Sequence, residues 1–354
     1  MPYRVAQWST GNVGIHALRM IIGHPDLELV GLVVHSDEKA GRDAGELAGG
    51  EAVGVTATTD PEEIVGLKPD CVSYMATGDL RPNEAVDDMC RLLEAGINVV
   101  STSVVPLVYP PAAEERAVAK LEKACAAGGT SCFTSGIDPG FANDVVPLTL
   151  TGTCERVDSV RVMEILNYDT YDQATVLFDT MGFGQPLDAT PLLLMPGVLS
   201  LAWGSTVHLL AAGLGAEVDE LEEVHERLPA ERDIDIPAGR VEKGTTAALR
   251  FEVQGIVGGE PRVIVEHVTR LDDDLAPDWP QPAGDGCYRI EIKGSPSYTV
   301  DVQMLGDDGD HNTGGLVATA GRVLNAIPAV VAAEPGVLSP LDLPLISGKG
   351  LLTT

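Results

Sequence analysis

A glycine-containing turn near the start of the chain has the residue types that bind a dinucleotide. Residues 3–22 read YRVAQWSTGNVGIHALRMII, so a strand, a tight turn and a helix follow one another. The turn matches G-x-G-x-x-G except that Ser9 replaces the first glycine. Gly11 would let the backbone approach a pyrophosphate, and Gly14 would allow close helix packing. We predict that the whole turn binds NAD(P), through Ser9, Thr10, Gly11, Asn12, Val13 and Gly14; a turn that merely joins strand to helix is the alternative.

The residues after the second predicted strand bear on the choice between NADP and NAD. NAD sites commonly place an acidic residue at this strand end, where it bonds the ribose hydroxyls. Here LELVGLVV runs into His35 and Ser36, with Lys39 and Arg42 close behind. The two cations could reach a 2′-phosphate, which favours NADP, while Asp37 leaves NAD open.

Two further strand ends are expected at the ligand-binding edge of the same sheet. Ala76, Thr77 and Gly78 belong to MATGD after the fourth predicted strand, and residues 101–103 follow the fifth. We expect both segments to run beside the cofactor, with ordinary surface loops as the alternative.

The periodicity of the first 135 residues predicts the sheet that must position these turns. Helical patterns at residues 83–96 and 111–129 each end at glycine. Short apolar runs predict strands at residues 5–8, 27–34, 53–56, 71–76, 97–102 and 130–134. Strands alternating with helices imply a parallel sheet covered on both faces, the α/β arrangement of a Rossmann domain.

Beyond about residue 155 the pattern changes to strict alternation, which predicts an antiparallel sheet with one solvent-exposed face. In PRVIVEHVTRL one face takes Val263, Val265, His267 and Leu271, and the other takes Arg262, Glu266 and Arg270. We therefore predict a Rossmann domain at residues 1–140 and an α+β substrate and dimerisation domain with an open, mostly antiparallel sheet at 141–308. Residues 309–354 are predicted to form a helix and tail that pack back on the first domain.

Composition argues against several classes of partner. With 23 Lys+Arg against 53 Asp+Glu, the formal charge of −30 repels nucleic acid and anionic membranes. Six scattered cysteines without a C-x-x-C pair, and no signal peptide, predict reduced thiols in the cytoplasm and no metal site. The charge-free stretch 189–216 predicts a buried helix that could form a subunit interface, and the acidic stretch 217–235 a solvated helix face plus loop.

Six segments together resemble the dihydrodipicolinate reductase-like family, and most closely its branch of native amine dehydrogenases and 2,4-diaminopentanoate dehydrogenase. These segments are QWSTGNVG, SDEKAGRDAGEL, SGIDPGF, MGFG, HVTRLDDDLAPDWP and NTGGLVATAGRVLNAIPAV. The resemblance spans nearly the whole chain. It implies a Rossmann domain plus an open mixed-sheet domain, a homodimer with its active site in the cleft between domains, and hydride transfer between NAD(P)H and a C=N bond.

The resemblance also implies site residues. Its cofactor positions are Thr10, Gly11, Asn12, Val13, Ser36, Arg42, Thr77 and Gly78, and its pocket positions are Phe141, Asn167, Met181 and His267. One loop departs from the family pattern, which has two glutamates here, one of them the acid/base. In STSVVPLVYPP, Val104 and Val105 stand at the acidic positions, and a valine cannot accept a proton. The H-H-x-x-K segment of true dihydrodipicolinate reductases is absent from the sequence, so lysine biosynthesis is not expected.

Three residues are candidates for the missing acid. His267 could donate a proton near neutral pH, or be a core histidine. Asp138 in GIDPGF could ionise at a position where the family often has asparagine, or cap the next helix. Tyr168, grouped with Asp169 and Tyr171, could protonate a reduced carbonyl oxygen, or lie on a surface loop. Aromatic walls, or alternatively core, are expected from Phe141, Phe183 and Trp279.

Two hypotheses follow for function. The first is an NAD(P)H-dependent oxidoreductase that transfers hydride to a C=N, C=O or activated C=C bond of a small or medium organic molecule. The second, motivated by Val104 and Val105, is a catalytically inactive dinucleotide-binding sensor or assembly protein.

Overall fold

The computed structural model describes residues 1–78 and 81–352. The chain divides into two units, one made of Met1–Ile137 with Leu316–Thr354 and the other of Asp138–Gly315. Each unit is built around its own sheet.

The strands and helices follow in chain order. The strands of the described residues are β1 (Tyr3–Trp8), β2 (Leu27–Val33), β3 (Ala57–Thr58), β4 (Cys71–Tyr74), β5 (Asn98–Ser101), β6 (Ser131–Thr134), β7 (Arg156–Asn167), β8 (Glu220–Pro229), β9 (Ile234–Ile236), β10 (Gly239–Val241), β11 (Thr246–Val257), β12 (Glu260–Arg270), β13 (Gly286–Ser295), β14 (Tyr298–Val302) and β15 (Gly336–Leu338). The helices are α1 (Asn12–Gly23), α2 (Ala44–Leu47), α3 (Pro61–Leu67), α4 (Pro82–Glu94), α5 (Glu115–Gly128), α6 (Val145–Thr151), α7 (Val198–Gly213), α8 (His311–Leu324) and α9 (Ile327–Ala332). Shorter helical turns of 3-10 type occupy Val105–Val108, Pro110–Ala112 and Leu192–Leu194, and a π-helical segment occupies Thr175–Thr180.

The first unit contains a parallel seven-stranded sheet in the order β15-β6-β5-β4-β1-β2-β3. Alternate strand residues enter two separate cores, as Ala6 and Val5 of β1 show. Helices α4 and α5 complete the core around Ala6, and α1, α8 and α9 complete the core around Val5. Because both faces are covered, the central strands β4 and β6 are buried throughout, as in a Rossmann fold. The predicted α/β class is confirmed.

The second unit contains a six-stranded mixed sheet in the order β14-β13-β7-β12-β11-β8. Four of its strand pairs are antiparallel, and β7 and β12 are parallel. Helix α7 packs on one face, where Val207 and Leu210 share a core with Leu249, Val253 and Val265. The predicted mostly antiparallel sheet is confirmed, with one parallel pair at its centre.

The expectation that the second face of β12 is solvent-exposed holds at Arg262 but is wrong farther along the strand. Glu266 and Arg270 are only 1% and 3% exposed. Glu266 is covered by ion pairs with Arg161 and Arg250 from the neighbouring strands, and Arg270 donates to three backbone carbonyls of residues 275–280. Cross-strand ion pairs at Glu266, and loop carbonyls at Arg270, therefore bury charges that the alternation placed on a solvent-exposed face.

Two other expectations about local structure are wrong. The strand predicted at 53–56 lies instead at β3, because Asp43 accepts the backbone amides of Val53 and Gly54 and holds this segment as a loop. The acidic stretch 217–235 contains the strand β8, an edge strand paired with β11. Exposed charges are common on edge strands, where they discourage further pairing.

Two apolar segments are only partly buried. Within the charge-free stretch 189–216, α7 buries Leu199 and Val207, but Leu201 is 67% exposed. The helical stretch His311–Ala332 has the length and hydropathy of a membrane-crossing helix. Its apolar stripe, including Val323 and Ile327, lies in the core of the first unit, which accounts for the hydropathy.

Candidate functional site

The glycine turn of the first unit is as tight as its sequence predicts. A Cβ placed on Gly14 would lie 2.5 Å from the Ser9 carbonyl oxygen, so only glycine fits there. Ser9 has a φ of +81°, in the left-handed region that glycine adopts without strain. The buried side chain of Gln7 donates to the Ser9 carbonyl at 2.9 Å. Ser9 thus adopts a backbone conformation typical of glycine at the first glycine position of the motif. The hydrogen bond from Gln7 stabilises the turn.

Gly11 leaves open space at the start of α1. A Cβ on Gly11 would meet no closer atom than Ser9 Oγ at 3.8 Å. Gly11 is the N-cap of α1, and no side chain caps the helix there. The amides of Asn12 and Val13 in the first helical turn therefore have no partner inside the helix. An open approach and unpaired helix amides are what a pyrophosphate needs, so the turn fits a dinucleotide.

The predicted 2′-phosphate residues surround the end of β2. Lys39 Nζ donates to Thr10 Oγ1 at 3.0 Å, which joins this loop to the glycine turn. Ser36 Oγ accepts the Glu38 amide at 3.3 Å, and Arg42 is exposed. The pKa of the His35 imidazole is lowered by partial burial and by the charge of Arg81.

The loops after β4 and β5 are held against each other. A Cβ on Gly78 would lie 2.5 Å from the Val104 amide nitrogen, and Ser103 Oγ donates to the Ala76 carbonyl. Thr77, beside Gly78, is exposed. Val104 has a φ of +57°, a strained conformation for a β-branched residue. Asp79 of the predicted MATGD segment lies outside the described residues, and Val105 begins the turn Val105–Val108.

In the second unit, strand register gathers polar side chains that are far apart in sequence. His267 of β12 is the cross-strand partner of Glu164 on β7, and Glu164 is in turn the partner of Tyr288 on β13. Phe251 of β11 is the partner of His267 on the other side. Cross-strand partners point to the same face of a sheet, so the four side chains form one row.

A buried charged cluster is centred on His267. Its Nε2 lies 3.3 Å from Asp138 Oδ2, and its Nδ1 lies 3.3 Å from Glu164 Oε1. The side chains of His267, Asp138 and Glu164 are 6%, 2% and 8% exposed. Although close, Nε2 lacks the alignment of a hydrogen bond to Asp138, so this contact is mainly electrostatic. Tyr168 donates its hydroxyl to Glu164 Oε1 at 2.9 Å.

Aromatic side chains enclose the imidazole. The ring of Phe251 stacks on His267 with 4.7 Å between centroids and an interplanar angle of 10°. Trp203 of α7 lies 4.6 Å from the same ring and donates its Nε1 to Asp138 Oδ1 at 3.0 Å. The indole therefore both covers His267 and fixes the carboxylate beside it. The alternative role of Asp138 as a helix cap is not observed.

The electrostatics of the cluster favour an ion pair. Burial by itself lowers the pKa of His267, but the charges of Asp138 and Glu164 outweigh it and raise the pKa to about 10. Burial opposes ionisation of Asp138, yet His267 and the indole of Trp203 lower its pKa overall. One protonated imidazole therefore faces two acidic side chains in a buried site.

The neighbouring tyrosines keep their protons. Burial raises the pKa of Tyr168 well above its ordinary value, and the charge of Glu164 adds to the effect. The pKa of Tyr288 is raised by burial and by the charges of Glu164 and Asp138. Both hydroxyls are therefore hydrogen-bond donors at physiological pH.

The ligand atoms of Asp138, Glu164 and His267 lie within 4.8 Å of one another, a spacing that a metal ion can use. The two ring nitrogens face different carboxylates, however, so a single ion cannot replace both contacts. The donor set fits a protonated imidazole better than a metal ligand.

The other predicted pocket residues are engaged in structure. The Asn167 amide donates to Asp273 and accepts from the Asp169 backbone amide. Met181, Phe183 and Trp279 belong to the core of the second unit. Phe141 is half-buried in the segment before α6, and the ring of Tyr171 packs against that of Tyr168, tilted by 36°, with 4.9 Å between ring centroids.

Sequence reasoning missed Glu164, Trp203, Phe251 and Tyr288. One signal was available for Glu164, since it is the only charged residue in the run VMEIL of a buried strand. A lone charge in a buried strand is expected to have a partner. The other three have ordinary core-forming residue types, and only strand register relates them to His267.

Comparison with known proteins identifies the family of the chain. The family model of the 2,4-diaminopentanoate dehydrogenase C-terminal domain matches residues 141–350. An amine dehydrogenase of Streptomyces virginiae is 41% identical over 355 residues, covering 98% of this chain and 97% of that protein. The chain belongs to this family of amine and diaminopentanoate dehydrogenases.

Two further similar proteins extend the comparison. The 2,4-diaminopentanoate dehydrogenase of Acetoanaerobium sticklandii is 24% identical over 289 residues, which is 80% of this chain and 76% of that protein. The solved amine dehydrogenase of Mycobacterium smegmatis has the same fold, with a TM-score of 0.78, 20% identity, and coverage of 98% and 97% of the two chains. The family predicted from the sequence motifs is confirmed. The protein is an amine dehydrogenase-like oxidoreductase that depends on a nicotinamide dinucleotide and acts on a small molecule.

Proposed function

We propose that this protein is an amine dehydrogenase that oxidises a primary amine to a carbonyl compound and ammonia, and catalyses the reverse reductive amination. The observation that carries the proposal is the His267 imidazole, whose two nitrogens each lie 3.3 Å from a buried carboxyl group. The cluster has a proton to give, a carboxylate to receive one, and one negative charge in excess. An ammonium or iminium group carries the charge that balances it.

Asp138 is proposed to take the part that the family gives to a glutamate in the loop after β5. Val104 and Val105 offer no ionisable atom there, whereas Asp138 is ionised and bound by Trp203 and His267. In amine oxidation the nitrogen must lose a proton before hydride can leave, and the Asp138 carboxylate can accept that proton. In the reverse direction water must leave a carbinolamine, and the Nε2 proton of His267 can assist its departure.

The glycine turn is proposed to bind the cofactor, through the amides that follow Gly11. When bound, the nicotinamide supplies or accepts the hydride. The remaining acid/base work falls to the chain's own residues, and Tyr168 contributes by donating to Glu164. In this scheme the first unit binds the dinucleotide and the second binds the substrate. The homodimer, the cytoplasmic location and the absence of a metal stay predictions.

NADP is the proposed cofactor. His35 and Ser36 stand at the end of β2, where an NAD site commonly has an acid, and Lys39 and the exposed Arg42 follow, although Asp37 lies between them. We expect a lower KM for NADP⁺ than for NAD⁺. Arg42→Ala should raise the KM for NADP⁺ about tenfold or more while changing that for NAD⁺ little. Equal effects on both cofactors would contradict the proposal.

The decisive test is turnover. The purified protein is mixed with NADP⁺ or NAD⁺ and a panel of primary amines, and separately with the reduced cofactors, ketones or aldehydes, and ammonium. Amine-dependent formation of reduced cofactor, and carbonyl consumption that requires ammonium, are the expected results. Carbonyl reduction without ammonium would identify a carbonyl reductase, and cofactor binding without any turnover would support the inactive sensor.

A further inference from the structure

Glu164 is the central hydrogen-bond acceptor of the cluster, although neither the motif pattern nor the resemblance singled it out. It lies on β7, between β12 and β13, in the middle of the mixed sheet. His267 approaches its carboxylate from β12, and Tyr168 from the segment after β7. A buried carboxylate that meets partners from several elements has little freedom to move.

The contacts of Glu164 determine how the His267 ring is held. Phe251 and Trp203 cover the ring but do not distinguish its two edges. Glu164 Oε1 faces Nδ1, which directs the opposite edge, with Nε2, toward Asp138. A flip of the ring about its Cβ–Cγ bond would put carbon atoms Cδ2 and Cε1 where Nδ1 and Nε2 now lie and would break both contacts. The two carboxylates together therefore select one orientation and favour a proton on each nitrogen.

We propose that Glu164 is a positioning residue that keeps the His267 imidazole doubly protonated, with Nε2 directed at Asp138. Its catalytic consequence rests on the function proposed above, in which His267 and Asp138 move protons. The positioning itself concerns only residues of the second unit, so it can be measured without any turnover.

The effect of removing the charge follows from the groups around the ring. Among the described residues, Asp138 and Glu164 are the charged groups with the largest effect on His267. Glu164 also interacts with three titratable side chains that are neutral while protonated, namely Tyr168, Tyr171 and Tyr288. In Glu164→Gln one carboxylate remains beside the ring while the cost of burial is unchanged. His267 should then lose its second proton at a lower pH.

The first experiment is an NMR titration of the full-length protein with isotopically labelled histidine, with the His267 resonances assigned by their loss in His267→Gln. We expect the Glu164→Gln midpoint to fall by at least about one pH unit. Glu226→Gln, which removes an exposed carboxylate from β8 of the same sheet, should leave it unchanged. An unchanged midpoint in Glu164→Gln would overturn the proposal.

A second variant covers the case in which Glu164→Gln does not fold. Glu164→Asp keeps the carboxylate, but its side chain is one methylene shorter, so the charge lies farther from His267 Nδ1. The His267 titration midpoint should therefore fall by less than in Glu164→Gln. A midpoint equal to that of the unsubstituted protein would again overturn the proposal. Tyr168→Phe, which keeps the carboxylate and removes only one donor to it, should change the midpoint less than Glu164→Gln.

The second experiment measures kcat/KM for an amine substrate as a function of pH. The alkaline limb of the Glu164→Gln profile should move to lower pH, with the KM for the cofactor unchanged, and Glu164→Asp should restore part of the shift. A merely structural role would lower the rate equally at every pH and overturn the proposal. If the unsubstituted protein shows no amine turnover, the proposed function fails, and the NMR titration still decides the role of Glu164.

Discussion

Nε2 of His267 lies 3.3 Å from Oδ2 of Asp138, and both side chains are almost completely buried. Asp138 begins the second unit, while His267 lies on a strand much later in the chain. Opposite charges at this distance attract strongly when water is excluded, and removing one of them leaves the other buried and unpaired. The pair is therefore a sensitive point for both stability and activity.

Asp138→Asn tests the carboxylate while keeping its shape. The asparagine oxygen can still accept the Trp203 Nε1 hydrogen bond, so the loop should be retained. The substitution removes the carboxylate that accepts the proton of the amine, so we expect kcat/KM for the amine to fall by at least about 100-fold. Asp188→Asn, an exposed substitution in the same unit, is the matched control and should have no effect. Comparable rates for Asp138→Asn and the unsubstituted protein would remove Asp138 from the mechanism.

Gly11→Ala and Gly14→Ala separate cofactor binding from folding. A Cβ on Gly11 enters open space, so the melting temperature should barely change while dinucleotide affinity falls by about tenfold or more. A Cβ on Gly14 would collide with the backbone of Ser9, so the fold should lose about 1–3 kcal/mol. Thermal unfolding and cofactor fluorescence titration measure the two effects. Full cofactor affinity in Gly11→Ala would show that the dinucleotide does not approach there.

Ser9→Gly should stabilise the protein. The left-handed φ of Ser9 is strained for an L-residue but not for glycine, so the substitution relieves strain in the folded state. The greater flexibility of glycine in the unfolded state offsets part of that gain. We expect a net gain of about 0.5–1 kcal/mol in the free energy of unfolding, measured by chemical denaturation. A loss would indicate that the serine hydroxyl makes a compensating contact in the turn.

Stability should fall at alkaline pH because of His267. Its folded pKa of about 10 exceeds the ordinary value of 6.5, so its contribution is complete below about pH 6.5 and is lost as pH rises toward 10. The slope for one proton approaches about 1.4 kcal/mol per pH unit. The free energies of unfolding of the unsubstituted protein and of His267→Gln are compared, because contributions from the other titrating groups cancel in their difference. That difference should become smaller as the pH rises over this range. A difference independent of pH would show that His267 is neutral in the fold.

The glycine turn could be predicted from the sequence because its chemistry is local. Residues within a few positions of Gly11 form the turn, the helix start and the close approach, and each depends on residue types in that one segment. The same reasoning missed the left-handed φ of Ser9, because serine gives no signal of a conformation that its neighbours impose. Asp43 is a similar case. Its side chain accepts the backbone amides of Val53 and Gly54, so the segment predicted as a strand at residues 53–56 is a loop.

The alternation of β12 placed His267 on an inward face, and the family resemblance placed it in the pocket. The sequence alone also determined the fold class, because alternating strands and helices leave few ways to bury both faces of a sheet. The partners of His267 were decided by tertiary structure. Periodicity says which way a side chain points but not which strands are neighbours, and β7 and β12 are paired in parallel although they are far apart in the chain. Only that register brings Glu164 to His267, and only the position of α7 brings Trp203 to Asp138.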